Sequence, residues 1–202
     1  MKRRIIFYLS ILLIFTEFVF SQKVSTGEKI MICAHPLAAK AGLKVFHEGG
    51  NVVDVAVATA YALGVVEPYG SGIGGEGMII IYQAKENKFI VIDFKAISPK
   101  GANYSTLDFK NLSSWSRTIK GASVPGAVAG LELALEKFGK IDRKKVIQPA
   151  IDYALNGFEV DSSLALNLIT YKKFLDNDEY SKKIYYPDGQ PLRKGDKVIN
   201  KD

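Results

Sequence analysis

Cysteine is almost missing from this 202-residue chain: Cys33 stands alone, so no intrachain disulfide can form. Its neighbours Met31-Ile32 and Ala34 are apolar, a setting that suits a buried small hydrophobe. Histidine is nearly as scarce. His35 and His47 have no Cys, Asp or Glu around them at metal-ligand spacing, so no metal site is expected. Charge of one sign is also in short supply, because 27 Lys+Arg against 21 Asp+Glu leave only +6. That excess is too dilute to point to nucleic acid. There is no internal repeat and no low-complexity tract. With 48% apolar and 24% charged residues, the bulk of the chain has the composition of a folded protein and not of a disordered one.

The one long apolar run is N-terminal. Lys2-Arg3-Arg4 forms a basic start, Ile5 to Phe20 is apolar apart from Ser10, Thr16 and Glu17, and Val19 and Ser21 occupy the positions a signal peptidase reads. The run falls short of the roughly twenty apolar residues that span a bilayer comfortably. Residues 1–21 therefore read as a signal peptide and 22–202 as the exported part, secreted or periplasmic. The alternative is an uncleaved anchor facing the non-cytoplasmic side of a membrane. Loss of Lys2, Arg3, Arg4 and Glu17 with the leader lowers the net charge to about +4.

Beyond a polar stretch from Gln22 to Glu28, the pattern predicts a strand over Lys29 to Ala34. A helix follows from Pro36, with Leu37, Ala38, Ala41 and Val45 at helical spacing and Gly49-Gly50 as its stop. Asn51 is a suitable cap for a second helix from Val52 to Val66, apolar on nearly every side, which must be covered on more than one face. Met78 to Tyr82 and Phe89 to Ile92 predict a hairpin. Ser105 to Lys120 is Ser-rich and carries Trp115. Three more helices are predicted: Ala127 to Phe138, about Lys144 to Asn156, and about Ser162 to Leu175. From Asp176 onward no packed element is expected.

Gly72, Gly74 and Gly77 spell G-x-G-x-x-G, but a dinucleotide site needs strand, glycine turn and then helix, so that free helical N–H groups face the pyrophosphate. Here the predicted order is helix, glycine loop, strand. The glycines read instead as a packing or site-lining loop that uses close backbone approach and positive φ.

Several blocks carry a resemblance in fixed order: Pro36-Leu37-Ala38-Ala39-Lys40-Ala41-Gly42, Gly49-Gly50-Asn51-Val52-Val53-Asp54, Gly64-Val65-Val66-Glu67-Pro68, Ser71-Gly72-Ile73-Gly74-Gly75, Val124-Pro125-Gly126 with Gly130-Leu131, and Pro149-Ala150-Ile151 with Gly157-Phe158. Together they resemble the opening of the γ-glutamyltransferase (glutathione hydrolase) family. The resemblance implies an α/β N-terminal nucleophile hydrolase fold, an αββα sandwich of which the N-terminal portion is present. It also implies a precursor that cuts itself into a large and a small subunit. The implied reaction moves the γ-glutamyl group of glutathione or a related amide to water or an amino-acid or peptide acceptor through an acyl-enzyme, without a cofactor. A threonine freed at the start of the small subunit would be the nucleophile, with its own α-amino group, of pKa about 7.7–8.0, as base.

That threonine lies beyond residue 202, so no catalytic residue is expected within this chain, and Gln22, with neither hydroxyl nor thiol, is no substitute. The chain reads as an N-terminal fragment, inactive alone. One implied substrate-binding position is present. Asp93-Phe94-Lys95-Ala96-Ile97-Ser98-Pro99 aligns with a family run in which an Arg, followed by Glu, grips the donor's α-carboxylate. Lys95 stands at the Arg position and Ala96 at the Glu. Lysine keeps the charge and loses the bidentate fork, which makes it a weaker carboxylate anchor; the bland alternative is a solvated strand-end lysine. The exchange opens two other readings: a branch acting on another amide, such as poly-γ-glutamate or an acylase-type substrate, and a secreted scaffold that has lost the chemistry.

Overall fold

The structure, a computed structural model, describes residues 29–103 and 121–201. The leader, the polar stretch from Gln22 to Glu28, and Ser105 to Lys120 with Trp115 lie outside the described residues. The chain divides into two units, Met1–Met31 and Ile32–Asp202. Of the first, only residues 29–31 are described, and they hold no regular secondary structure. Every element below belongs to the second. Among the described residues no helix is long and apolar enough to cross a membrane.

The strand expected over Lys29 to Ala34 does not form. A strand is stabilised by its ladder, and residues 29–34 enter neither sheet of the described residues; Ile32 is left 91% exposed. Cys33 is half-buried rather than fully packed, and its thiol donates to the His35 carbonyl oxygen at 3.3 Å.

Helix α1 (Pro36–His47) starts where Pro36 supplies a helical φ without needing its missing N–H. Its cap is His35, whose Nδ1 accepts the Leu37 N–H at 3.1 Å. Helix α2 (Val52–Val66) has the expected Asn51 cap, completed as a capping box: Asn51 Oδ1 accepts from Val53 and Asp54, while the Asp54 carboxylate accepts the Asn51 N–H at 2.8 Å. Asp54 is fully buried and also accepts the Lys140 N–H at 3.0 Å, which ties the start of α2 to the backbone 86 residues later.

Strands β1 (Gly77–Gln83) and β2 (Lys88–Phe94) form the expected antiparallel hairpin, with Ile79 opposite Ile92 and Ile81 opposite Ile90. Helices α3 (Ala127–Phe138), α4 (Arg143–Asn156) and α5 (Ser162–Leu175) fall where the apolar spacing places them, α4 starting one residue early behind an Asp142 cap.

Helix α2 is central, as its all-round apolarity requires. Val53, Val57 and Ala58 enter a cluster with Ile92, Leu131, Ala134 and Val146, whereas Ala62 and Val66 enter a second with Ala38, Ala41, Ala150 and Leu164. The hairpin is apolar on both faces, and only one is covered: Met78, Ile80, Phe89 and Val91 are each more than half exposed on the other.

The region after Asp176 corrects the sequence expectation. Helix α6 (Glu179–Tyr185), capped by Asp178, leads to Tyr186, which is 1% exposed and whose hydroxyl donates to the Leu168 carbonyl at 2.7 Å. Strand β4 (Lys197–Val198) then pairs antiparallel with β3 (Phe158–Glu159). Two widely spaced anchors, Tyr186 and Val198, hold this segment to the core, and two points make no periodicity for a sequence reading to detect.

Candidate functional site

The order helix α2, glycine loop, strand β1 holds in the structure, so no helix N-terminus follows the G-x-G-x-x-G run. Close approach accounts for Gly77, against the Phe94 ring, and for the Gly64–Gly72 contact, and left-handed backbone accounts for none of the loop glycines. None of Gly70, Gly72, Gly74, Gly75 and Gly77 has a positive φ, contrary to the expectation, whereas a Cβ on Gly64 would lie 3.2 Å from the Gly72 Cα. The loop is pinned at its far end, where the Gly75 carbonyl accepts the N–H groups of Gly126 and Ala127 at 3.2 and 3.1 Å. A cleft of about 670 Å³ opens along it, lined in part by Gly72, Gly74, Glu76 and Phe94.

Phe94, the last residue of β2, sits in a slot made by glycines of two elements. A Cβ on Gly130 of α3 would come within 2.2 Å of its ring, one on Gly77 within 2.7 Å, and one on Gly126 within 2.2 Å of its carbonyl oxygen. This close packing explains why Gly126 and Gly130 stand where they do. Three residues on, Ile97 and Val124 exchange two backbone hydrogen bonds at 3.2 and 2.9 Å. Lys95 is thereby held between a packed aromatic and a backbone bridge.

At the exit of β2, the Lys95 Nζ donates to Glu76 Oε1 at 2.6 Å, and the Ala96 N–H donates to Glu76 Oε2 at 2.7 Å. The Lys95 N–H donates to Asp93 Oδ1 at 3.0 Å. The hydrogen bond from Lys95, followed by that from Ala96, holds the Glu76 carboxyl below its usual range; Glu76 in turn raises the Lys95 ammonium. The Lys95 and Glu76 side chains remain 61% and 43% exposed, so the pair faces solvent and its net contribution to stability is small. The ammonium has three donors, and the bond to Glu76 leaves two free of that carboxylate.

Sequence reasoning singled out Lys95 and passed over Glu76. The signal was present, since Glu76 is the one charged residue in the run Gly70 to Gly77. Its relation to Lys95 becomes visible only when the hairpin brings the two ends together, with Gly77 opposite Phe94. Among the described residues there is no group of three or more His, Cys, Asp or Glu placed to hold a metal ion.

The chain is similar to proteins of known activity. It is 38% identical over 187 residues to the glutathione hydrolase proenzyme of Bacillus subtilis (strain 168), covering 90% of this chain and 32% of that protein. It is 39% identical over 170 residues to the capsule biosynthesis protein CapD proenzyme of Bacillus anthracis, covering 84% and 29%. Among solved structures, the Helicobacter pylori γ-glutamyltranspeptidase superposes with a TM-score of 0.82 at 33% identity, over 89% of this chain and 52% of that one. The chain thus spans about a third of the length of the curated relatives it matches and carries part of an N-terminal nucleophile hydrolase fold. Residues 38–202 match the family description gamma-glutamyltranspeptidase, and the chain belongs to that family.

Proposed function

We propose that this chain is the N-terminal part of an exported enzyme that transfers the γ-glutamyl group of glutathione or a related amide to water or to an amino acid. The transfer runs through an acyl-enzyme on a threonine outside residues 1–202. Family membership supports the reaction class. The observation that carries the site assignment is Lys95, presented at the end of β2 beside the glycine cleft with its ammonium oriented by Glu76. Its role is to bind the donor's α-carboxylate. The uncovered apolar face of the hairpin supports a second subunit from the same precursor as the partner that covers it, because an apolar strand face is stable when removed from water.

The experiment is to express the complete reading frame and measure release from a γ-glutamyl anilide, together with N-terminal sequencing of the products. A second polypeptide beginning with threonine, and anilide release that depends on that threonine, are expected. A stable, cooperatively melting protein with neither would replace the reading with a scaffold that has lost the chemistry. Export rests on the leader, and a mature chain starting at Gln22 is the expected product; retention of Met1 on membranes would favour an anchor.

Lysine in place of a bidentate group favours a second reading of the donor, an amide other than glutathione. Comparing glutathione with a poly-γ-glutamate chain and a β-lactam side-chain amide in the same assay decides between them.

A further inference from the structure

Glu76 lines the glycine cleft, and its side chain meets the start of the segment after β2. Both of its oxygens are engaged, one by the Lys95 Nζ and one by the Ala96 N–H, so the carboxylate bridges a side chain and the backbone of two successive residues. Asp93 fixes the same turn from the other side through the Lys95 N–H. The backbone around Lys95 is thus held by Asp93 before it and by Glu76 on the Ala96 N–H after it, and the direction of its flexible four-carbon stem is also set by Glu76. An exposed lysine without such a partner would spread over many rotamers, and ordering it would weaken binding.

We propose that Glu76 is a positioning residue for donor binding: it fixes the Lys95 ammonium beside the cleft that Glu76 itself lines and leaves two of its hydrogens for the donor's carboxylate. This rests on the reading of Lys95 as the carboxylate anchor. It assigns Glu76 no contact with the reacting atoms. The single Glu in the glycine run is therefore a determinant of donor affinity.

The test is a double-mutant cycle in the complete enzyme, with donor KM, acceptor KM, kcat and Tm read separately. Lys95→Met should raise donor KM by about tenfold or more, the loss of one charged contact to a carboxylate. Glu76→Ala should raise donor KM by about three- to tenfold, with kcat and acceptor KM within about twofold of wild type. Glu76→Gln has one acceptor oxygen for two donors and should fall between. In the Lys95→Met background Glu76→Ala should add nothing, because there is no ammonium left to orient.

A Glu76→Ala enzyme with wild-type donor KM, or one whose factor multiplies fully onto that of Lys95→Met, overturns the positioning role. So does a uniform loss of kcat, both KM values and Tm, which marks a purely structural carboxylate. If Lys95→Met itself leaves donor KM unchanged, the anchor reading fails and Glu76 loses its role with it. If Lys95→Met raises KM while Glu76→Ala does not, only the inference about Glu76 fails.

Discussion

Gly130→Ala reverses the sign that helix propensity assigns. In the interior of a helix, Gly to Ala ordinarily stabilises by about 1 kcal/mol. At position 130 the new Cβ would lie 2.2 Å from Cγ and Cδ1 of Phe94 and 2.6 Å from its Cβ, where ordinary contact begins near 3.4 Å. Turning the ring does not relieve the contact with Cβ. The far side of the ring is closed as well, since Gly77 approaches its Cε2 closely enough that a Cβ there would stand at 2.7 Å. The strand end or helix α3 must therefore shift by about an ångström, and overpacking of this kind costs about 1–3 kcal/mol, occasionally more. At the upper end of that range the net effect is a loss of about 2 kcal/mol, or a fall in Tm of about 4–8 °C for a domain of this size.

The displaced residue directly precedes Lys95, so donor KM should rise as well. Urea and thermal unfolding of the complete protein, beside a Gly74→Ala control whose Cβ meets nothing within 4 Å, measure the effect. Gly130→Ala more stable than wild type would refute the slot that Phe94 occupies.

Four further outcomes are expected. Lys95→Arg should lower donor KM by supplying two parallel hydrogen bonds to a carboxylate, and an unchanged value discards the anchor role. Asp54→Ala removes a buried carboxylate that accepts the N–H groups of Asn51 and Lys140 and should cost about 3 kcal/mol or more in urea unfolding; a loss under about 1 kcal/mol would contradict the cap. Gly157, at φ +81° with a Cβ site 2.6 Å from the Val198 carbonyl, should not tolerate alanine, which would detach β4 from β3; protection of the Val160 amide against hydrogen exchange reports it. Burial, then the hydrogen bond to Glu132, pushes Tyr61 up to about 12 in the folded protein from 10 unfolded. The unfolded chain therefore loses this proton first, so stability present below pH 10 should fall as pH rises toward 12. Tyr61→Phe should flatten that alkaline slope, and a slope identical to wild type would remove Tyr61 as its cause.

The helices were legible wherever a one-faced or all-round apolar pattern ran for three turns between clear stops. Pro36, Asn51, Gly139 and Gly157 mark ends that the structure keeps, and α5 falls on Ser162 to Leu175 as spacing places it. The strand at Lys29 to Ala34 failed for the opposite reason, because a short apolar run states a preference and leaves the pairing partner unspecified. Nothing local to the chain marks Asp54 as a buried acid. Its burial follows from the backbone after α3 arriving 86 residues later with a free N–H at Lys140.

The candidate site divides along the same line. Residue types and their order, local properties of the chain, determined the family, the absence of a dinucleotide turn, and Lys95 as the residue to examine. What Lys95 does with its charge was decided only in three dimensions. The hairpin register sets Gly77 opposite Phe94, Phe94 packs against glycines of α3, and Glu76 is thereby carried to 2.6 Å from an ammonium nineteen positions away. Hydrogen bonds fall off within a fraction of an ångström, so such a pairing depends on how separate elements pack, which spacing along the chain does not contain.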